Sequence, residues 1–408
     1  MNARTQQHGF TLIELLVVMG ILSGFLVMLV SLVDSGLTMF RDGETSQVLA
    51  DRGARAQQVV RQELSRLRGS STGRDRTEVE DRLVVQMLPI GLPRAPERGA
   101  TLVQVLRGAV HLDPARELAI VGKRLAADVF EQDPGLTPEE IVAEVQKRAA
   151  VEPLRGIGNL LMLPWRQEGD DDALLELRAG WFLPGQQIPA GVDSFVDPFD
   201  VIVPGGDELP GLTVFELTEP ILQDLLHVEF GLWSQRTTSW GDERGPLHGY
   251  QSGAAGNLQF PQAIWDSARG GWLVDRQSGG EFAFDLGPAS EDDPTDDIHP
   301  HGILVRVVVA QDRDASPEGV LASFLGAEDT SIYLYDGTSF PGNPDGGYVK
   351  LGAEWIRYAE LDGDRLVGCK RGQRATKILE HQAGTVVNVG RTVEFVVPVL
   401  HAKDDWNG

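Results

Sequence analysis

The strongest pattern in the chain is an apolar run close to its N-terminus. Residues 10–33 read FTLIELLVVMGILSGFLVMLVSLV, with Glu14 as the single charged residue. At about 1.5 Å of rise per residue, a helix of this length crosses the roughly 30 Å hydrocarbon core of a bilayer. A secretory signal peptide fits poorly, because its apolar core is shorter and ends in a small-residue cleavage site. The run therefore predicts a transmembrane helix.

Glu14 sets this helix apart from an ordinary membrane anchor, because a carboxylate at apolar depth costs several kcal/mol unless it is paired. The surrounding residues resemble the prepilin N-terminus of type IV pilins and type II secretion pseudopilins. Gly9 ends a short polar leader, residues 1–9, and is followed by FTLIELL at residues 10–16. The resemblance implies cleavage after Gly9 by prepilin peptidase and N-methylation of Phe10. It also implies that Glu14 neutralises the terminal amine of a neighbouring subunit during assembly.

The same resemblance implies partners and a location. The partners are prepilin peptidase, other pilin or pseudopilin subunits, and an inner-membrane assembly platform driven by a cytoplasmic ATPase. The protein would reside in the bacterial inner membrane as a single-pass protein with its head in the periplasm, and would be extracted into a pilus or pseudopilus. The sequence does not distinguish the type II secretion system from a type IV pilus.

The helical pattern continues beyond the membrane segment. Residues 44–68 repeat apolar side chains at spacings of seven, four, four and three, which place them on one helical stripe. We therefore predict one transmembrane and stalk helix over residues 10–68, with its second half packed against a head. The stripe consists of Leu49, Ala56, Val60, Leu64 and Leu67.

Charge separates the stalk from the rest of the chain. The 408 residues include 36 Lys and Arg and 60 Asp and Glu, a formal charge of −24. Residues 1–68 hold 7 basic and 6 acidic residues, so the remainder carries −25. An acidic head repels phosphate, which makes nucleic acid an unlikely partner. Cys369 is the only cysteine, which excludes an intrachain disulfide and a cysteine-based zinc site.

The head, residues 69–330, reads as β-rich with a helical insertion near residues 113–150. A linker is predicted at residues 69–73. Asp113 and Thr137 each precede a proline, as a helix cap does before a proline at the first helical position. Runs of β-branched and aromatic residues predict antiparallel strands, so the fold class is α+β. These runs are Leu83–Leu88, Ala173–Trp181, Leu212–Leu217, Leu225–Trp233, Gly302–Ala310, Ser331–Tyr335 and Val393–Leu400.

Part of the head also resembles J-type minor pseudopilins. In that family a core strand is followed by tryptophan-bearing loops and by a strand that opens with a proline-containing turn. The corresponding segments here are residues 226–233, 238–240, 265–267 and the strand after 299–301.

The C-terminal region, residues 331–408, is predicted to be a separate β-rich module. Asp362-Gly363 is a hairpin-turn signal between the runs Trp355–Leu361 and Arg365–Cys369. Residues 350–387 are similar to a small β-module of phage tail and other surface proteins, which implies an appended contact surface. A hairpin that simply extends the main sheet is the alternative.

The candidate chemistry of the head is limited. The sequence contains no nucleophile elbow, zinc-protease helix or phosphate-binding glycine loop, so an enzyme is not expected. His299 and His301, near Asp296 and Asp297, have the residue types of a metal site, although a solvated loop is the commoner origin of this pattern. An acidic run with Asp292, Asp293, Asp296 and Asp297 suggests structural calcium, since Ca²⁺ prefers carboxylate oxygens. A solvated acidic loop is again the alternative.

These patterns favour a non-enzymatic minor pilin or pseudopilin near the tip of a filament, because so large a head fits poorly along a crowded shaft. Two other hypotheses about the head keep the same membrane anchor. In one, the head is an adhesin or substrate-binding module with residues 331–408 as its contact region. In the other, the head is a hydrolase.

Overall fold

The computed structural model describes residues 12–68, 83–89, 102–166, 174–183, 218–233, 264–267, 271–277, 281–284, 299–310, 319–337, 340, 345–374, 376 and 378–399. The chain divides into two compact units, residues 1–51 and 52–408. The predicted linker at 69–73, the predicted strand at 212–217 and the predicted loop at 238–240 lie outside the described residues.

Helix α1 runs from Leu12 to Leu64. The predicted stalk helix is confirmed, but its predicted end at Arg68 is wrong by four residues. Leu67 forms a β-bridge with Val110, and the Arg68 N–H donates to the Ala109 carbonyl at 2.9 Å. The strand at Val84–Pro89 pairs with the strand at Leu102–His111 only as far as Arg107. Residues 66–68 therefore satisfy backbone groups of residues 109–111 that would otherwise lie at an open edge.

Four of the five residues of the predicted apolar stripe are buried in the second unit, while Leu49 is partly buried and belongs to the first unit. Ala56, Val60, Leu64 and Leu67 are each 3% exposed or less. The guanidinium of Arg61 lies 5.5 Å from the ring centre of Phe395. The final turns of α1 therefore belong to the core of the head.

The described residues contain seventeen strands. In chain order they are β1 Val84–Pro89, β2 Leu102–His111, β3 Ile157–Trp165, β4 Leu175–Phe182, β5 Glu219–Trp233, β6 Ile264–Asp266, β7 Gly271–Gln277, β8 Glu281–Phe284, β9 Gly302–Ala310, β10 Ser331–Tyr333, β11 Gly347–Leu351, β12 Glu354–Tyr358, β13 Glu360–Asp362, β14 Arg365–Val367, β15 Lys370–Gln373, β16 Val387–Asn388 and β17 Gly390–Pro398.

Ten strands form one antiparallel sheet in the order β17-β9-β5-β4-β3-β2-β1-β6-β7-β8. The sheet curls, because β2 and β5 are separated by two strands and yet the side-chain oxygen of Gln104 accepts a hydrogen bond from the Phe230 N–H at 2.6 Å. The predicted α+β class with an antiparallel head is confirmed. Trp265 was expected in a loop but lies in β6, opposite Val85, and is fully buried.

The helical insertion consists of α2, Pro114–Gln132, and α3, Pro138–Ala149. Both predicted caps are confirmed: Asp113 accepts from the Arg116 N–H, and Thr137 forms a capping box with Glu140. The helices connect β2 to its neighbour β3, and their ends meet where the Leu112 N–H donates to the Gly156 carbonyl at 3.0 Å. The insertion is thus the connection of a β-hairpin.

Strands β10 to β16 form two small sheets, β10-β14-β13 and β15-β12-β11-β16. The predicted turn is confirmed, since Gly363 has φ of +60° between β13 and β14. The predicted run Trp355–Leu361 is wrong as a single strand, because it divides at Ala359 between β12 and β13 of different sheets. Ile356, Tyr358 and Leu361 all contact the same core. In a continuous strand, alternate residues share a face, so Leu361 would point away from the core that Ile356 and Tyr358 face. The hairpin lies outside the ten-stranded sheet, to which the chain returns at β17.

Gly53 provides a test of the packing between α1 and β17. A Cβ atom built at Gly53 lies 2.7 Å from Cγ2 of Val393, whereas one built at Gly43 meets nothing within 4 Å. Alanine favours a helix over glycine by about 1 kcal/mol, but overpacking costs about 1–3 kcal/mol. We expect Gly53→Ala to lower the Tm of the detergent-solubilised protein and Gly43→Ala not to lower it. Equal Tm values for the two variants would contradict this packing.

Candidate membrane and assembly site

The candidate assembly site in the first unit is the apolar part of α1. One helix of the described residues is long and apolar enough to cross a membrane, over Leu15–Leu37, with a mean hydropathy of 2.7 and no part of it buried. Its large apolar side chains are 46% to 73% exposed, and they include every position from Phe25 to Val30. The helix therefore has no polar side there. An apolar surface of this size on a folded protein marks a membrane or partner contact.

The predicted site residues stand directly before this span. The backbone of Glu14 is helical, within the first turn of α1 as described. Gly9 and Phe10 lie outside the described residues, as does the side chain of Glu14. Cleavage, methylation and amine pairing therefore stay predictions.

Most of the candidate metal residues of the head also lie outside the described residues. Asp292, Asp293, Asp296 and Asp297 lie outside the described residues, so structural calcium stays a prediction. His299 is buried, and His301 is partly buried immediately before β9. In the part of the chain that the structure describes, no three His, Cys, Asp or Glu side chains gather into a group that would hold a metal ion.

Three charged clusters, each centred on a buried carboxylate, were not predicted, and the first lies on the large sheet. Glu229 Oε2 is 2.9 Å from Nη1 of Arg306, whose Nε is 2.5 Å from the carboxylate of Glu394. These residues are direct neighbours across β5, β9 and β17. His227 Nε2 lies 3.3 Å from Glu229 Oε2. Burial opposes ionisation of Glu229, but the hydrogen bond from His227 and the charge of Arg306 outweigh it and lower its pKa to about 2.

The second cluster surrounds Glu354 on β12, which is fully buried. Its carboxylate accepts hydrogen bonds from Arg371 Nε and Nη2 at 2.8 and 2.7 Å, and from the backbone N–H groups of Gly372 and Leu379 at 3.0 Å each. His381 Nε2 lies 2.9 Å from the same carboxylate. Burial opposes ionisation, but these hydrogen bonds together lower the pKa of Glu354. The cluster joins β12, β15 and the segment before β16.

The third cluster ties the end of α1 to the helical insertion. Arg116 donates to both oxygens of Glu63, at 2.6 and 3.0 Å. The Arg116 guanidinium also lies 4.2 Å from the ring centre of Trp181 on β4. One side chain therefore links α1, α2 and the large sheet through a bidentate ion pair and a cation–π contact.

Three buried groups, Glu229, His227 and Cys369, have pKa values shifted far from neutrality. Burial, together with the charge of Arg374, lowers the pKa of His227 to about 4, while Glu229 stays ionised. Burial raises the pKa of Cys369 to about 11. General acids and bases, and nucleophilic thiols, work best with a pKa near the operating pH. These groups have pKa values well away from neutrality.

The comparisons with known proteins bear on the N-terminus. Residues 4–31 match the family model of the prokaryotic N-terminal methylation motif. The chain carries this methylation motif. The match includes Gly9, Phe10 and Glu14, and it confirms the resemblance to the type IV pilin and pseudopilin family at this motif. No curated protein and no solved structure matches the chain.

The motif, residues 4–31, overlaps most of the apolar span, Leu15–Leu37. Together they indicate a membrane-anchored, single-pass subunit of the pilin or pseudopilin type. Processing by prepilin peptidase and assembly with other pilin subunits follow from the motif in general.

Proposed function

We propose that this protein is a minor pilin or pseudopilin that is assembled near the tip of a type II secretion pseudopilus or a type IV pilus. The supporting observation is the methylation motif over residues 4–31, which extends into the apolar span Leu15–Leu37 that is exposed on every side. A tip position is supported by the size of the head, since residues 52–408 form one compact unit that is bulky for a shaft subunit. In this arrangement the head lies in the periplasm, and the inner-membrane assembly platform extracts the subunit.

The physical basis of assembly is the charge at Glu14. Cleavage after Gly9 leaves an α-amine at Phe10, four residues before the carboxylate. Both groups lie beside the apolar span, where an unpaired charge is expensive. Pairing the carboxylate of one subunit with the amine of its neighbour removes both penalties and fixes the register between helices.

Substituting Glu14 with alanine tests this proposal. We expect Glu14→Ala to remain in the membrane and to be cleaved between Gly9 and Phe10, but to enter sheared filaments at least about tenfold less, the effect of losing about 1.4 kcal/mol of pairing. Mass spectrometry of the N-terminal peptide reports cleavage and methylation, and immunoblotting of the filament fraction reports incorporation. The matched control is Glu44→Ala, an exposed carboxylate farther along the same helix. Normal incorporation of Glu14→Ala would refute the pairing.

We also propose that the head is not an enzyme. The support is the titration of its buried groups, in which Glu229 is ionised, His227 is neutral and Cys369 is a thiol at neutral pH. Structural calcium at the acidic run remains a proposal that rests on the sequence alone.

A binding role for the head is the second candidate, and one surface favours it. In the three-stranded sheet, Ile332 and Leu366 face the core. Tyr333 at the end of β10 and Tyr335, two residues beyond it, are 49% and 81% exposed. Exposed tyrosines are common anchors in protein interfaces. If this surface binds a partner, the double variant Tyr333→Ser and Tyr335→Ser should weaken partner capture at least about tenfold, a loss of about 1.4 kcal/mol. Filament assembly should stay unchanged. Unchanged capture would exclude this surface.

A further inference from the structure

The four-stranded sheet packs against the large sheet through Trp355, beside the chain link in which a single residue separates β16 from β17. This side chain is 2% exposed and packs with Leu226 of β5 and with Val308 and Ala310 of β9. The guanidinium of Arg374, which follows β15, lies 4.3 Å from the Trp355 ring centre and 4.7 Å from that of Tyr348 on β11. The contact is therefore an apolar anchor covered by a cation held between two rings.

The backbone is irregular on both sides of this contact. Arg374 has φ of +51°, a left-handed conformation that disfavours residues other than glycine. On the large sheet, the pairing register between β5 and β9 shifts between Leu225 and His227. Neighbouring residues of a regular strand point to opposite faces, but this irregularity allows Leu226 and His227 both to reach Trp355. The His227 ring meets the indole edge-on, with ring centres 5.7 Å apart.

Positive charge is in excess around His227. The imidazole is 14% exposed. Arg374, Lys350 and Glu229 act on it directly. Glu229 is already engaged by Arg306, which also engages Glu394. These five groups are Glu229 of β5, Arg306 of β9, Glu394 of β17, Lys350 of β11 and Arg374 after β15.

We propose that this contact is an acid-released latch, in which protonation of His227 frees the four-stranded sheet from the large sheet while both sheets stay folded. An imidazolium at this place adds a charge beside Arg374 and Lys350 and removes a neutral ring from the indole edge. The small sheets have their own core on the opposite side of β12, around Ile356 and Tyr358, so the loss of one contact leaves them folded.

The direction of the pH dependence follows from linkage. A solvated histidine has a pKa of 6.5, and in the closed latch burial and the charge of Arg374 lower the pKa of His227 to about 4. Protons therefore bind the released form more tightly. The latch is closed above pH 6.5, and its closing equilibrium weakens by up to about tenfold per pH unit as the pH falls from 6.5 towards 4.

Hydroxyl-radical footprinting of the full chain in detergent micelles tests the latch. The readout is labelling of Trp355 at pH values from 7.5 to 4, measured by peptide mass spectrometry. Trp265 and Tyr358, which are 0% and 2% exposed, report unfolding of the large sheet and of the small core. We expect labelling of Trp355 to rise several-fold with a midpoint between pH 4 and 6.5, while the two reference residues stay protected.

Two substitutions at His227 separate its charge from general acid effects. His227→Gln keeps a neutral hydrogen-bonding side chain, so Trp355 should stay protected at every pH in this range. His227→Lys carries a permanent charge, so Trp355 should be labelled at pH 7.5 as it is in the unsubstituted protein at pH 4, with Trp265 still protected. The latch is refuted if Trp355 stays protected throughout, if all three residues are labelled together, or if His227→Gln responds to acid like the unsubstituted protein.

Discussion

Replacing Leu22 and Leu26 together with arginine is expected to remove the protein from the membrane. Both side chains are more than half exposed and lie at the centre of the apolar span. Fourteen Leu, Ile, Val and Phe residues in Leu15–Leu37 contribute about 4–8 kcal/mol to insertion at about 0.3–0.6 kcal/mol each. Two central arginines cost about 5–7 kcal/mol, which cancels this gain. The measurement is the fraction of protein that stays in the membrane pellet after alkaline carbonate extraction.

A matched pair in the head controls for the added charge. Leu118 and Phe130 on α2 are 46% and 58% exposed, close to the values for the two span residues. Leu118→Arg with Phe130→Arg should leave the pellet fraction unchanged. If the span variant resisted carbonate extraction as the unsubstituted protein does, α1 would not be the membrane anchor.

The sequence predicts local patterns of this fold well and long-range ones poorly. The limits of β9 agree with the prediction, because Gly302–Ala310 is a short apolar run with clear ends. Strand β5 begins at Glu219, six residues before its predicted start, since the strand continues past Asp224 despite its φ of +58°. The end of α1 was misplaced because the bridge of Leu67 to Val110 depends on a partner strand distant in sequence.

The same distinction holds for the functional residues. Gly9, Phe10 and Glu14 form a contiguous motif, so they were found from the sequence and fall within the matched family model. The cluster of Glu229, Arg306 and Glu394 depends on strand register across 77 and 88 residues, and nothing local distinguishes those residues from solvated charges.

Substituting Glu354 with alanine is expected to destabilise the head by about 3–5 kcal/mol, the usual cost of removing one partner from a buried ion pair. The variant leaves Arg371, which is 5% exposed, without its bidentate partner. The N–H groups of Gly372 and Leu379 lose their acceptor as well. Denaturant unfolding at pH 7 measures the change, and hydrogen exchange of β12 and β15 locates it.

A matched control and a pH series sharpen this expectation. Glu360→Ala removes an exposed carboxylate two residues after β12 and should change stability by no more than about 0.5 kcal/mol. Because the pKa of Glu354 is lowered in the folded protein from 4.5, its ionised form stabilises the fold above that pH. This contribution is lost as the pH falls through the lower folded value, so Glu354→Gln should differ most from the unsubstituted protein at neutral pH and least in strong acid. A difference that does not shrink on acidification would mean that the shape of Glu354, and not its charge, holds β12 to β15.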